Sequence, residues 1–272
     1  MPAPLVSAPS VSSVSSVAKP PTFGKLFLVP APLDFGCATQ APIEQVLPAA
    51  TLRQAAVISH WVCENAKSAR AMLKRVDAVV PLAKPLQEQA MQVLPAAVHK
   101  KGDHAVSYDA KPLLGPCLLG FDVGLLSEAG MPAVADPGST VVRAAHDLGL
   151  EVVPLAGPTS LILALAASGL NGQNFAFVGY LPVDATQRSQ RIRQLEGTAL
   201  SSGQTQMFIE TPYRNLALLQ ALLQNLKPST RLAVSSGLTL PGARSISKTV
   251  GQWQKSGVTL DNATPCLFAL GV

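Results

Sequence analysis

Charged side chains are scarce in this sequence of 272 residues, since 14% are Asp, Glu, Lys or Arg whereas 48% are hydrophobic. A chain with this balance can bury a large core, which excludes disorder for most of its length. The balance is typical of α/β proteins whose strands are buried on both faces. No run of about 18 apolar residues occurs because Asp122 interrupts the longest candidate, so we expect a soluble, cytoplasmic protein without a membrane partner.

Cysteine is also rare, and the four cysteines lie too far apart to form a CxxC pair. We therefore expect reduced, mostly buried thiols, with no structural zinc or other metal. The sequence contains no HExxH, GxxxxGK[ST] or GxSxG motif and no GxGxxG turn after a strand. Metalloprotease, P-loop, α/β-hydrolase and ordinary Rossmann functions therefore lose support. The scattered histidines are interpreted as core or surface residues.

Residues 1–22 are rich in Ser, Pro, Ala and Val, which predicts a disordered tail. The remaining chain is predicted to form two α/β domains, at residues 23–154 and 155–272. Their junction is placed at the Pro- and Gly-containing segment from Pro154 to Pro158. The net charge of +5 favours association with a polyanion but is too small to prove it.

The segment at residues 127–138, SEAGMPAVADPG, is a βα turn because it joins the apolar run at 122–126 to residues with helical apolar spacing. We call it the central loop. Gly130 and Gly138 permit positive φ or close ligand approach, and its prolines stiffen the backbone. Ligands of open α/β sheets lie beyond the carboxyl ends of strands, so we interpret the central loop as a binding loop. The alternative is a rigid connection without a ligand.

Strands are predicted elsewhere in the first half at residues 25–32 and 55–65, and helices at 42–48, 66–76 and 87–99. The second half is predicted to contain strands mixed with helices. Two domains that face each other would bring the turns near residues 30, 64, 127, 157, 180 and 210 around one cleft, which is a common place for a ligand site.

Four segments occur in order along the chain: the central loop, VVPLAGPTS, FVGYLP and FIETPYR. Their order and spacing resemble the S-adenosylmethionine-dependent tetrapyrrole methylase superfamily. Within it they are most similar to the branch of ribosomal RNA small subunit methyltransferase I, which methylates a ribose 2′-oxygen. The resemblance extends over nearly everything from Phe23 onward. It implies a homodimer of two-domain α/β chains, with S-adenosyl-L-methionine held in the cleft between the domains.

The resemblance also implies which residues contact the cofactor, and all of them lie in strand-end turns. From the first domain these are Pro30, Ser127, Glu128, Ala129, Gly130, Pro132 and Val134. The junction contributes Pro158, Thr159 and Ser160, and the second domain contributes Tyr180, Leu181, Glu210 and Thr211. For Pro158 and Leu181 especially, the alternative is that they only shape their turns.

Methyl transfer to a ribose hydroxyl requires that the hydroxyl lose its proton, so a carboxylate or a cation near the methyl group would help. Glu64 is the first candidate for the carboxylate, and Lys67 for an orienting cation. The chain departs from the ribosomal branch here, because ENAKSAR stands where that branch has Glu-Asp-Thr-Arg. Asn65 replaces the second acid, and Lys67 lacks the planar fork of arginine. These changes leave cofactor binding intact and put the RNA target in doubt.

Three functions follow as hypotheses. The first is methylation of ribosomal RNA or the small ribosomal subunit, motivated by the motif order and by basic residues on two helices. The second is methylation of a small molecule such as a tetrapyrrole, motivated by the departures near Asn65 and the modest charge. The third is a regulatory protein that binds S-adenosyl-L-methionine without catalysis.

Overall fold

The computed structural model describes residues 22–95, 97–98, 108–257 and 259–272. The tail predicted at residues 1–22 therefore lies outside the described residues, apart from Thr22. The end of the helix predicted at 87–99 also lies outside them. The described chain forms two five-stranded sheets, each with helices, which confirms the predicted α/β class.

The first sheet is wholly parallel and has the strand order β3-β2-β4-β1-β5. Its strands are β1 (Leu26–Val29), β2 (His60–Cys63), β3 (Ala90–Val93), β4 (Val123–Leu126) and β5 (Val152–Pro154). The central strand β4 is buried along its whole length because helices cover both faces of the sheet. Residue 124 in β4 must be glycine because a Cβ atom there would lie 2.5 Å from the indole ring of Trp61 in β2.

Helices pack on the two faces of this sheet and bury two apolar clusters. They are α1 (Ile43–Val46), α2 (Ala49–Val57), α3 (Ala66–Asp77), α4 (Gly115–Leu118) and α5 (Ser139–Asp147), with 3₁₀ turns at Leu86–Glu88 and Lys111–Leu114. Helix α3 begins at Asn65, whose side-chain Oδ1 accepts a hydrogen bond of 2.8 Å from the Lys67 amide. The residue that departs from the ribosomal branch thus caps the helix that follows β2.

The second sheet has the order β6-β7-β10-β8-β9, and its β6–β7 pair is parallel whereas the other pairs are antiparallel. Its strands are β6 (Phe175–Tyr180), β7 (Thr205–Glu210), β8 (Arg231–Ser236), β9 (Arg244–Thr249) and β10 (Cys266–Gly271). Its helices are α6 (Ser160–Ser168), α7 (Ala185–Ser202), α8 (Asn215–Asn225) and α9 (Val250–Ser256), with a 3₁₀ turn at Pro212–Arg214. The side chains of α7, α8 and α9 fill the core on one face, and those of α6 pack on the other.

The boundary predicted between residues 154 and 155 falls between β5, the last strand of the first sheet, and α6, whose apolar side chains pack on the second sheet. No helix within the described ranges is both long enough and apolar enough to cross a bilayer. The described cysteines carry free thiols, and three of the four are buried.

Two sequence predictions were wrong. The strand predicted at residues 55–65 begins only at His60, because AATLRQAAV is a helix with Leu52, Ala55 and Ala56 buried along one side. The helix predicted at 87–99 is largely replaced by the strand β3, which pairs with β2 along its full length at the edge of the sheet. Helix α9 was missed, although the capping box formed by Thr249 and Gln252 marks its start.

Candidate functional site

A cavity of about 270 Å³ lies between the two sheets and is lined by both halves of the chain. We call it the interdomain cavity. The central loop forms one wall, and the ends of β6 and β7 with the segment before β10 form the other. Seven of the residues predicted to contact a cofactor line it: Ala129, Gly130, Val134, Thr159, Ser160, Tyr180 and Glu210. The structure thus brings together turns that are distant in sequence.

The remaining predicted cofactor residues lie elsewhere. Pro132 and Pro158 are buried without lining the cavity, and Pro30 packs against Gly157, where an added Cβ would lie 2.2 Å from its ring. Leu181 belongs to the apolar core of the second sheet. The Thr211 amide and hydroxyl donate to Glu210 instead of facing the cavity lining. Their contact with a cofactor stays a prediction, as does the alternative that Pro158 and Leu181 only shape their turns.

Ser127 and Glu128 line a second, larger cavity of about 750 Å³ at the carboxyl ends of β1, β2 and β4. We call it the lateral cavity. Three cationic side chains line it, those of Lys67, Lys74 and Arg75. Phe35, half exposed, lines both cavities, so the two are neighbours.

The cations of the lateral cavity differ in how they are paired. The Arg75 guanidinium donates two hydrogen bonds of 2.9 Å to Asp34, whose side chain is buried. The exposed Lys67 and Lys74 make no ion pair with a described residue, so their ammonium groups are available to a polyanion. Ser68 Oγ donates to Glu128 Oε1 at 2.9 Å and fixes the carboxylate that borders this cavity.

Glu64, the predicted carboxylate, lies at the end of β2 and lines neither of these two cavities. Its Oε1 accepts a hydrogen bond of 3.3 Å from the Glu128 amide. This bond ties the end of β2 to the central loop. Lys67, the predicted orienting cation, lines the lateral cavity and not the interdomain one.

The central loop is held against β1 by paired backbone bonds between Ala31 and Gly130, with N–O distances of 2.9 and 3.0 Å. Beyond that pair the backbone is strained. Ala133 and Ala135 have φ of 63° and 64°, a left-handed conformation that costs a residue with a Cβ about 1 kcal/mol or more. Backbone strain of this kind persists only where the surrounding structure enforces it, and it is common at functional sites.

Asp136 follows these strained residues, and its side chain lines the interdomain cavity. Burial is the largest cause that raises the pKa of its carboxyl group, and the negative charges of Glu64 and Glu128 add to it, so the pKa rises to about 7. Sequence reasoning missed this residue. It stood within the central loop, but nothing in the local pattern showed which side chain of the loop faces the cavity.

Glu210 lies on the opposite wall, where one oxygen of its carboxylate, Oε1, is held by several donors. Oε1 accepts hydrogen bonds from the Thr211 amide at 2.7 Å and hydroxyl at 3.1 Å. The Arg214 guanidinium donates from Nε at 3.0 Å and forms an ion pair through Nη2 at 2.8 Å. This network makes Glu210 a rigid part of the wall.

Two further groups with raised pKa values line the cavity. Burial, followed by the charges of Asp136 and Glu210, raises the pKa of the Tyr180 hydroxyl, which leaves it a neutral hydrogen-bond donor. Burial raises the pKa of Cys266 to about 12, so its thiol is not a nucleophile at neutral pH. Among the described residues, no group of His, Cys, Asp and Glu side chains has a geometry suited to a metal ion.

Solved structures show which fold the chain shares. The match to uroporphyrin-III-C-methyltransferase from Thermus thermophilus covers 91% of this chain and 94% of that one, with a TM-score of 0.50 and 20% identity. The methyltransferase CobJ gives a TM-score of 0.53 at 17% identity, also over 91% of this chain and 94% of that one. A T. thermophilus uroporphyrin-III C-methyltransferase solved with S-adenyl homocysteine gives a TM-score of 0.50 at 17% identity, over 91% of this chain and 97% of that one. At these identities the likeness establishes a shared fold.

Curated relatives are named ribosomal RNA small subunit methyltransferase I. The protein from Vibrio cholerae is 34% identical over 137 residues, which is 50% of this chain and 46% of that protein. The protein from Pseudomonas aeruginosa is 42% identical over 100 residues, which is 37% of this chain and 34% of that protein. The chain thus aligns with less than half the length of these relatives.

The family model for tetrapyrrole (corrin/porphyrin) methylases matches residues 49–254. This range includes most of both sheets and every segment that lines the interdomain cavity except residues 33–35 and 265–267. The chain belongs to the tetrapyrrole (corrin/porphyrin) methylase family.

Proposed function

We propose that this protein is a methyltransferase that transfers a methyl group from S-adenosyl-L-methionine to a ribose 2′-oxygen of small-subunit ribosomal RNA. The observation that carries the proposal is the interdomain cavity, which strand-end turns of both sheets build together. The family and the ribosomal RNA methyltransferases among the curated relatives support it. In this proposal the protein acts in the cytoplasm, where ribosomal RNA is found.

The residues of the interdomain cavity suit this donor. Small side chains at Ala129 and Gly130 let a ligand approach the backbone closely, and Thr159 and Ser160 offer hydroxyl groups at the start of α6. The Asp136 carboxylate, which accepts no hydrogen bond from the described residues, would be stabilised by a neighbouring positive charge. When bound, the donor supplies an electrophilic methyl group on a positively charged sulfur.

The chain's own contribution is then positioning and exclusion of water. Thr159 and Ser160 would hold the donor from one side and Tyr180 from the other, while Glu210 keeps its wall rigid through Arg214. The predicted contacts of Ser127 and Glu128 would be made from the lateral cavity, at the edge between the two cavities.

The lateral cavity is the proposed entrance for the RNA. Lys67 and Lys74 would bind phosphate groups there as point charges, and Phe35 would stack on a base. In this role Lys67 orients RNA, not the reacting methyl group. Its substitution for arginine removes a two-pronged grip on phosphate but keeps the charge.

The experiment is transfer of labelled methyl groups to small ribosomal subunits isolated from cells that lack this gene. The wild-type protein is expected to label the ribosomal RNA, and nuclease digestion should recover the label as a 2′-O-methylated nucleoside. The double variant Lys67→Ala/Lys74→Ala is expected to bind RNA about tenfold more weakly and with a shallower dependence on salt. Lys255→Ala, which removes an exposed charge that lines neither cavity, serves as the control. Labelling of protein or of no macromolecule would overturn the proposed acceptor.

A small molecule such as a tetrapyrrole is the second candidate acceptor, and the solved neighbours that methylate uroporphyrin-III favour it. The labelling assay distinguishes the two if it is repeated on the small-molecule fraction of the same cells. Binding of donor without transfer to either fraction would favour the regulatory hypothesis. The homodimer stays a prediction, which light scattering of the purified protein tests.

A further inference from the structure

Asp136 occupies an unusual position for an acidic residue. It lies in the loop between β4 and α5, lines the interdomain cavity, and is partly buried. No described residue donates a hydrogen bond to it or forms an ion pair with it. A polar group that loses water without gaining a partner is costly, so such a carboxylate is expected to serve a ligand.

The charged groups around Asp136 are mostly negative. Glu64 at the end of β2 and Glu128 in the central loop act on it from its own domain. Tyr180, at the end of β6, faces it across the cavity and also senses Glu210 and Arg214. Arg214 is committed to Glu210 through two nitrogen atoms. The surroundings therefore make ionisation of Asp136 difficult and would make a positive charge in the cavity favourable.

The backbone fixes the direction of this side chain. Positive φ at Ala133 and Ala135 turns the loop just before Asp136, and the Ala133 amide donates to the Pro137 carbonyl at 3.3 Å just after it. The loop is also anchored at Gly130 by its bonds to Ala31. The strained segment thus holds at the wall of the cavity a carboxylate that has no hydrogen-bond or ion-pair partner among the described residues.

The other groups of the cavity are poorer proton acceptors. The engaged Oε1 of Glu210 accepts from Thr211 and Arg214. Glu64 lies outside the cavity lining, with an oxygen on the Glu128 amide. A carboxylate whose pKa is near the working pH balances availability of the base against its strength, and Asp136 meets this condition.

We propose that Asp136 accepts the proton of the acceptor's hydroxyl group during methyl transfer. The inference rests on the proposed function and names the proton acceptor for it. The hydroxyl oxygen bonds to the methyl carbon as the sulfur–carbon bond breaks and its electron pair stays on sulfur. The hydroxyl proton moves to the Asp136 carboxylate, which later releases it to solvent. Charge balances, because the positive sulfur and the negative carboxylate both become neutral.

Single-turnover methyl transfer tests this role. At donor concentrations well below saturation, where the rate reports the donor-free protein, the wild-type rate should rise tenfold per pH unit below about pH 7 and level off above it, as Asp136 becomes ionised. Asp136→Asn should slow transfer by about 100-fold or more and remove this rise, and Asp136→Glu should restore part of the rate. The control Asp147→Asn, which removes an exposed carboxylate at the end of α5, should behave as wild type.

A binding measurement gives a readout that does not depend on activity. At pH 7 about half of the Asp136 carboxyls carry a proton, and a neighbouring sulfonium charge should lower their pKa. Calorimetry in buffers of different ionisation enthalpy should therefore record a release of up to about half a proton when S-adenosylmethionine binds. S-adenosylhomocysteine, which lacks the positive charge, should release much less. The difference between the ligands should vanish in Asp136→Asn and persist in Asp147→Asn.

The outcomes separate the two claims. If the wild type binds no donor and transfers no methyl group, the proposed function fails. If the wild type transfers methyl groups but Asp136→Asn keeps the rate and its pH dependence, Asp136 is not the proton acceptor. Equal proton release for both ligands in the wild type would likewise overturn the inference. Retained affinity of Asp136→Asn for S-adenosylhomocysteine shows that the variant is folded.

Discussion

Among the described residues, each wall of the interdomain cavity has one acidic residue, and the two differ in their hydrogen-bond partners. Glu210, at the end of β7, accepts from Thr211 and from the fork of Arg214. Asp136, in the central loop, accepts no hydrogen bond from the described residues and follows a strained backbone. The first arrangement stabilises the fold, whereas the second costs stability and leaves a carboxylate available to a ligand.

Two acidic residues that line the same cavity therefore differ in how readily they can pair with a ligand. What distinguishes Asp136 from Glu210 is whether neighbouring groups already satisfy the carboxylate. Removing the partner of Glu210 on one wall should therefore lower the free energy of unfolding. Removing the charge of Asp136 or the backbone strain on the other wall should raise it.

The largest expected loss of stability is that of Arg214→Ala. The side chain of Glu210 is 4% exposed, so loss of its partner leaves a buried charge with only Thr211 as donor. We expect the free energy of unfolding to fall by about 3 kcal/mol in urea titrations at pH 7. Adding Glu210→Gln should recover most of the loss. The control Arg193→Ala, at an exposed site, should change stability by less than about 0.5 kcal/mol, and an equal loss there would remove the contrast between the walls.

Asp136→Asn should raise the free energy of unfolding instead of lowering it, and the size of this gain should depend on pH. The pKa of Asp136 is raised from 3.8 to about 7 in the folded state, so ionisation destabilises the wild type as pH rises. The variant should match the wild type near pH 3, gain stability between about pH 4 and 7, and keep a constant advantage on the order of a few kcal/mol above that. Thermal unfolding across this range measures the advantage. A gain that does not depend on pH would contradict the assigned pKa.

The smallest expected effect is that of Ala135→Gly. Glycine relieves the cost of φ at 64°, about 1–2 kcal/mol, but loosens the unfolded chain by about 0.4–1 kcal/mol. The net gain in unfolding free energy should be about 0.5 kcal/mol. Ala156→Gly, which lacks a positive φ, should lose stability instead. A loss at both positions would mean that the central loop is not strained.

Much of the fold was predictable because it follows local patterns. Apolar runs ended by Gly or Pro marked β1, β4 and β7, and the Gly- and Pro-rich central loop marked the turn that lines the cavity. The second strand was predicted too early because Ala55 and Ala56 continue an apolar run while belonging to α2. Strand β3 was missed because its edge position leaves its side chains partly exposed, which weakens the apolar signal.

Which acidic residue of the first domain lines the interdomain cavity could not be predicted in the same way. Glu64 ends β2, so the rule that ligands lie beyond strand ends selected it. Its carboxylate instead meets the Glu128 amide. Asp136 lines the cavity just after Ala133 and Ala135, whose positive φ is rare for alanine and is anticipated by no local rule. Nonlocal packing of the loop decides which side chain enters the cavity.

Titration with S-adenosylmethionine in a calorimeter tests the central claim, that turns of both sheets build one donor site. The wild type should bind one equivalent, and Ser160→Trp, which fills the interdomain cavity, should bind at least about tenfold more weakly. The control Ser201→Trp places the same bulk on an exposed surface at the end of α7 and should bind as wild type does. Undiminished binding by Ser160→Trp, or no saturable binding by the wild type, would contradict the claim.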